Sequence, residues 1–464
     1  MTSFYNQSTI FDNYSDLKNT EHDPEVIKLK NLAKNYKYFK NSETKFNMKL
    51  TEKIPWRLGQ TQMCINKTSK IINDPKNYFK IDNILDFNKN KYDSNFDDMI
   101  LSYYKDKLIL VFVAKIVRKG EFYDKNNNLY LGDWDRKKRK HSDEITFNLP
   151  VFQIWNSNYE LEFEKTCNEF SNYDSHVGNF KCHTFHLSNL IILAYSSIIK
   201  FNVANHEILI KELEYANGIG YPSSWHCLAT QNKTNQLYIA GDGIINVYNI
   251  KTLNLLKRLL FYDGKNHDGT YYPFHGTDYH IPNEFYSMKI IWDTLYFYIY
   301  EDFEGGSDKL AVVKNINDTE NLSFDLYELY PESFLISNHI EKYENYIYIS
   351  GEAGAGIHIF DTQKNTLVNF DPAFGTDWRN YKSYINICEN YLINVNYYLG
   401  RKENPTVIEI VNLEKNKSIE KIDYRIEFED PYRIKNVNIR QNIAYFYCLN
   451  LQDQNIQVFI HDLK

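Results

Sequence analysis

Seven times in this chain a short apolar run ends on Asn or Asp, and after a few polar residues a second short run follows. The markers are Asn156, Asn202, Asn249, Asn315, Asp361, Asn412 and Asp462, separated by 46, 47, 66, 46, 51 and 50 residues. Runs of five to eight residues are strand-length and too short for helices. A period near fifty, built only from strands, is the pattern of a β-propeller in which each repeat is one four-stranded blade. The marker falls between the third and fourth strands of its repeat. There an Asn or Asp side chain can bond its own backbone and reverse the chain. The expected fold is therefore all-β, a seven-bladed β-propeller. An eighth, degenerate blade is the alternative count, because Met63, Cys64, Ile65 and Asn66 echo the marker pattern.

At 464 residues a length prior alone would divide the chain into two or three domains. Blades adding around a ring need no such division, since no single core grows. The chain holds 39 Tyr and 29 Phe against 6 Trp and 5 Met. Aromatic residues favour strands, which agrees with an all-β reading. A net charge of −7 argues against a general nucleic-acid or anionic-membrane binder, which would need a cationic surface. No apolar run reaches the eighteen or so residues of a membrane span. Residues 1–23 are polar and lack the apolar centre of a signal peptide. The expected location is cytoplasmic, with export by a non-classical route as the alternative. Six cysteines stand singly with no CxxC pair, which reads as reduced and mostly buried thiols.

The last repeat offers three strands before the chain ends at Lys464. An open sheet edge invites aggregation, so a strand from the N-terminal part is expected to complete that blade. Residues 45–53 alternate suitably, and residues 62–65 compete with them. Residues 1–43 read as a disordered or partly helical arm, leaving 44–464 as the propeller. The endings Ile154, Trp155, Asn156 and Ile359, Phe360, Asp361, together with the period, resemble the WD40/YVTN-like superfamily of propellers over residues 98–464. The chain departs from WD40 proper in lacking the Gly-His dipeptide and a regular Trp-Asp.

Two insertions interrupt the repeats. Residues 119–147 lie between the second and third strands of the first repeat, and residues 261–285 between the third repeat and the fourth. In a propeller both kinds of connection leave the same face, and long loops in a compact fold are usually functional or disordered. That face is the expected binding face. Its loops carry Tyr221, Trp225, His226, Asp268, Asp278, Glu301, Asp302, Trp378 and Arg379. Aromatic residues beside charged ones suit recognition of a polar ligand. His226, His267, His275 and His280 could hold a transition metal, since imidazole with carboxylate suits Zn, Fe or Mn. The plainer reading of this His-rich stretch is a loop making ordinary hydrogen bonds. The acidic stretch 301–308 lacks the alternating Asp ladder of a calcium loop. Glycines at 351, 354 and 356 have no helix after them to cradle phosphate. Arg136, Lys137, Lys138, Arg139 and Lys140 form the only basic run, at the tip of the first insertion.

No nucleophile elbow and no His-Glu-x-x-His helix appears. The function expected from these features is a soluble, non-catalytic binding or scaffolding propeller whose partner is a protein, peptide or glycan, with no cofactor. The alternative is a metal-dependent propeller enzyme, hydrolase or oxidoreductase, with a histidine-lined site at the central channel.

Overall fold

The computed structural model describes residues 68–73, 75, 79–88, 92, 99–119, 122–123, 129–130, 134–135, 140–141, 144–167, 180–194, 197–213, 225–241, 244–260, 264–265, 271–272, 284–300, 308–318, 323–330, 339–350, 357–371, 381–398, 406–417, 419, 421–428 and 431–464. Among them there is no α-helix. Seven sheets, each with four antiparallel strands and the sixth with one parallel strand more, follow one another in chain order, and they are the blades of a β-propeller. The first blade runs from Ile100–Tyr104 to Leu161–Thr166, the second from Phe180–His186 to Ile208–Glu212, and the third from Trp225–Gln231 to Leu255–Leu260. The fourth runs from Glu284–Ile291 to Ser323–Tyr330 and the fifth from Ile340–Tyr343 to Thr366–Asp371. Tyr381–Cys388 to Ile422–Phe428 make the sixth, and Tyr432–Arg440, Ile443–Asn450 and Asn455–Asp462 belong to the seventh. Strands within a blade are called a, b, c and d in that order. The chain forms two compact units, one of residues 212–372 carrying the third to fifth blades, the other carrying the rest.

The markers do what their chemistry predicts. Asn202 Oδ1 accepts the N–H groups of Ala204 and Asn205, and Asn249 Oδ1 those of Lys251 and Thr252. Asp361 and Asn412 bond the second and third residues after them in the same way. Asn156 takes the N–H groups of Asn158 and Glu160. Asn315 turns differently, entering the left-handed region itself at φ 60°. The residue after the marker then donates its N–H to the carbonyl at the end of the a–b turn of the same blade. Val203 reaches Ser188, Ile250 reaches Asn235, Ile316 reaches Asp293, Thr362 reaches Asn345, Leu413 reaches Asn390 and Leu463 reaches Asn442, all at 2.8–3.0 Å. The a–b turns place non-glycine residues in the left-handed region, including Lys105, Leu187, Trp292, Glu344 and Glu389. That conformation is costly for bulky side chains. Tying the two turns together helps to hold it.

Blades pack through the side chains of their inner strands. In the 212–372 unit, Tyr298, Leu310 and Val312 of the fourth blade meet Ile347, Ile349 and Phe360 of the fifth. In the other unit, Ile109, Val111 and Phe152 of the first blade meet Leu190, Ile192 and Phe201 of the second. Cys167, Cys227 and Cys448 are buried.

The seventh blade is completed by a strand from the N-terminal part of the chain, but not by either segment favoured above. Lys80–Leu85 pairs antiparallel with Asn455–Asp462, from Lys80 opposite Ile460 to Leu85 opposite Ile456. A bulge between Ile81 and Asn83 breaks the two-residue alternation, which is why this segment does not read as a strand. Residues 45–53 and 62–65 lie outside the described residues. Thr68–Asn73 adds a fifth strand, parallel, to the outer edge of the sixth blade and begins no blade of its own. Between these strands Phe79 is buried, with its ring 5.0 Å from that of Phe446 and 4.6 Å from that of His461. Strand a of the fifth blade is Ile340–Tyr343, with Tyr343 opposite Tyr346 across a two-residue turn.

Candidate functional site

In an antiparallel four-stranded blade, the a–b and c–d turns leave one end, and the b–c and d–a connections leave the other. The first end is closed in six blades by the paired turns just described. The second end carries the extra chain. Strands b and c of the first blade, Lys107–Lys119 and Glu144–Trp155, are 13 and 12 residues long and stay paired up to Lys119 opposite Glu144. The outer strands of this sheet end opposite Val111 and Val151, so the stem extends past them by about 23 Å. Two short ribbons follow it, Phe122–Tyr123 with Leu129–Tyr130 and Trp134–Asp135 with Lys140–His141. Of the basic run, Lys140 is in the second ribbon, and residues 136–139 lie outside the described residues. The second insertion contains one ribbon, Gly264–Lys265 with Tyr271–Tyr272.

Of the expected site residues, Trp225 and His226 open strand a of the third blade, with Trp225 opposite Gly241 and a register shift at His226. That places their backbone at the loop-bearing end of that blade. Tyr221, Asp268, Asp278, Glu301, Asp302, Trp378, Arg379, His267, His275 and His280 lie outside the described residues. Among the described residues no group of three or more His, Cys, Asp or Glu could hold a metal ion. No helix among them is long and apolar enough to cross a membrane.

Two polar features escape a reading by repeat alone. The first is a buried polar residue three positions before the marker in four of the seven c strands: Gln153, Asn246, His358 and Glu409. Gln153 donates to Glu164 Oε2 and to the Phe87 carbonyl, both at 2.7 Å, and accepts from the Trp155 indole. Glu409, fully buried, takes the Arg425 guanidinium at 2.6 Å and the amide of Asn394 at 3.0 Å. Burial pushes the Glu409 carboxyl up, opposed by Arg425 and the two asparagine amides at 394 and 396. Burial alone lowers the His358 imidazole to about 3, so it stays neutral. A single polar residue at a fixed offset inside four of the seven apolar runs was the available signal.

The second feature is a recess of about 170 Å³ where the seventh and first blades meet, within one unit. Tyr103, Tyr159 and Tyr447 bring their hydroxyls together there: Tyr103 bonds Tyr447, and Tyr159 lies 3.5 Å from it. Burial pushes all three phenols up. The Arg440 guanidinium lies 4.2 Å from the centre of the Tyr103 ring, a cation–π contact. Asp82 and Asp106 stand at the rim, both exposed. These residues come from six strands or turns in four separate stretches of the sequence, so no local motif announces them.

No protein-family model matches the chain, and no curated protein matches its sequence. Its fold is similar to that of solved propellers. The Neurospora crassa Pan2 WD40 domain aligns over 81% of this chain and 90% of its own, at 8% identity and a TM-score of 0.45. A chain of a mitotic checkpoint complex aligns over 89% and 96%, at 9% identity and 0.45. U3-55K aligns over 68% and 90%, at 10% identity and 0.42. At that distance a likeness says nothing of ligand or partner.

Proposed function

We propose that this protein is a non-catalytic binding or scaffolding propeller that offers the loop-bearing ends of its blades to a protein, peptide or glycan. The observation that carries this reading is the unequal use of the two blade ends. Extra polypeptide enters the b–c connection of the first blade and the d–a connection after the third, while the corner beside the a–b turn stays short and hydrogen-bonded in the other six blades. Propellers bind through variable loops on a fixed scaffold because the blades supply rigidity that the loops lack. The reading includes no resident metal and no catalytic residue.

Its test uses peptide and glycan arrays probed with the whole chain, beside a variant in which residues 120–143 are replaced by Asn-Gly. Asn-Gly closes a two-residue hairpin between the b and c strands. The variant should keep the circular dichroism and melting temperature of the parent and lose its array signals. Unchanged signals in the variant would remove the first insertion from the binding face. Metal analysis of the purified protein runs alongside. Stoichiometric Zn, Fe or Mn, lost when His267 and His275 are both replaced by Ala, would replace this reading with the metal-dependent one.

A further inference from the structure

Six blades close the corner between their a–b turn and the end of strand c in one way. The residue after the marker bonds the a–b turn, and its side chain enters the corner: Val203, Ile250, Ile316, Leu413 and Leu463 are buried, and Thr362 is half-buried. The first blade departs from this. Its residue after the marker is Ser157, which is small, exposed, and makes no bond to the Asp106 carbonyl across the corner. Where the other blades have a plug, this one has the recess lined by Tyr103, Tyr159, Tyr447, Arg440, Asp82 and Asp106.

We propose that this open corner is a binding site for one basic side chain, lysine or arginine, of a partner polypeptide. Size sets the first limit. A volume of about 170 Å³ is below the roughly 300 Å³ at which pockets for drug-sized ligands begin, so it admits one side chain and not a larger ligand. Charge sets the second. Arg440 is the only cation of the lining, and it is engaged with the Tyr103 ring. Among the described residues Asp82 and Asp106 have no ion-pair partner, which leaves the lining with a net negative charge. An aliphatic stem would lie against the tyrosine rings while its ammonium or guanidinium reaches the two rim carboxylates, as long basic side chains commonly do. An anion would face both carboxylates at short range. The site lies at the tight-turn end of its blade, opposite to the loop-bearing end proposed above, and does not depend on that proposal.

The test titrates the full chain with the blocked amides of lysine, arginine and glutamate, read by ligand-observed saturation-transfer NMR. Lysine and arginine amides should show transfer, compete with each other, and weaken as salt is raised; glutamate amide should show none. Ser157→Leu restores the plug that Leu413 and Leu463 provide, and should reduce binding at least tenfold without lowering the melting temperature. Should that variant fail to fold, Asp82→Asn with Asp106→Asn replaces it. The double variant should lose binding, while Asp293→Asn, at the equivalent turn position of the fourth blade, should keep it. Absence of transfer from both basic amides, equal transfer from glutamate amide, or full binding by Ser157→Leu or by the double variant would each overturn the proposal.

Discussion

Single side chains set two kinds of stability in this protein. The marker residues act locally: Asn249 supplies one oxygen to two backbone N–H groups that its turn would otherwise leave to water. Asn249→Ala should cost about 1 kcal/mol, as a lost capping side chain does, and Asn249→Asp should cost little. Urea denaturation, with its slope unchanged, measures both. Glu409 acts through burial. Glu409→Ala would leave Arg425 buried with only Glu427, at 3.3 Å, as a partner, and should cost roughly 3 kcal/mol. Replacing both members, Glu409→Leu with Arg425→Met, should recover most of that loss. The pH dependence has a definite sign. Burial raises the folded value of Glu409, so the native state holds this proton more tightly than the unfolded chain does. That contribution is complete below the unfolded carboxylate value of about 4.3 and is lost as pH rises through the raised folded value. Glu409→Gln should flatten stability against pH across that window; an unchanged slope would show that other carboxylates produce it. The markers were legible in the sequence because their chemistry is local. The partner of Glu409 was not, because Arg425 faces it only once strands c and d pair.

At the scale of elements, the decisive piece is the segment from Phe79 to Phe87. Phe79 packs in the core shared by the sixth and seventh blades, while Leu85 and Phe87 pack in the core shared by the seventh and first. Lys80–Leu85 between them supplies the missing ladder to Asn455–Asp462. One short stretch therefore covers a sheet edge and anchors in two cores. Phe79→Ala should destabilise the protein by about 3–5 kcal/mol through the cavity it leaves, read as an earlier urea midpoint. Ile81 and Ile84 are exposed at 47% and 52%, so Ile84→Ser should change stability by less than about 0.5 kcal/mol. A pattern search selects clean alternation, and the bulge in this strand removes it. Residues 45–53 read better as a strand for the same reason, though only pairing decides which segment fills an edge.

For the whole molecule, closing the last blade pairs residues near 80 with residues near 460. Such non-local pairing bears the loop-closure entropy before any contact rewards it, and it slows folding. A chain beginning at residue 90 should lose its cooperative urea transition and aggregate through the bare edge of Asn455–Asp462; a parent-like transition would show that the seventh blade stands without its fourth strand. The sequence by itself determined the blade period, the turn chemistry of the markers and the positions of both insertions, and left the count between seven blades and eight. All of these follow from short-range rules, strand length, alternation and side-chain bonds to nearby backbone. The tertiary structure alone decided which N-terminal segment completes the seventh blade, which polar side chains meet inside the c strands, and that one corner of seven stays open. Each of these depends on residues that become neighbours only through pairing between strands or packing between blades, and no local pattern in the chain encodes such a meeting.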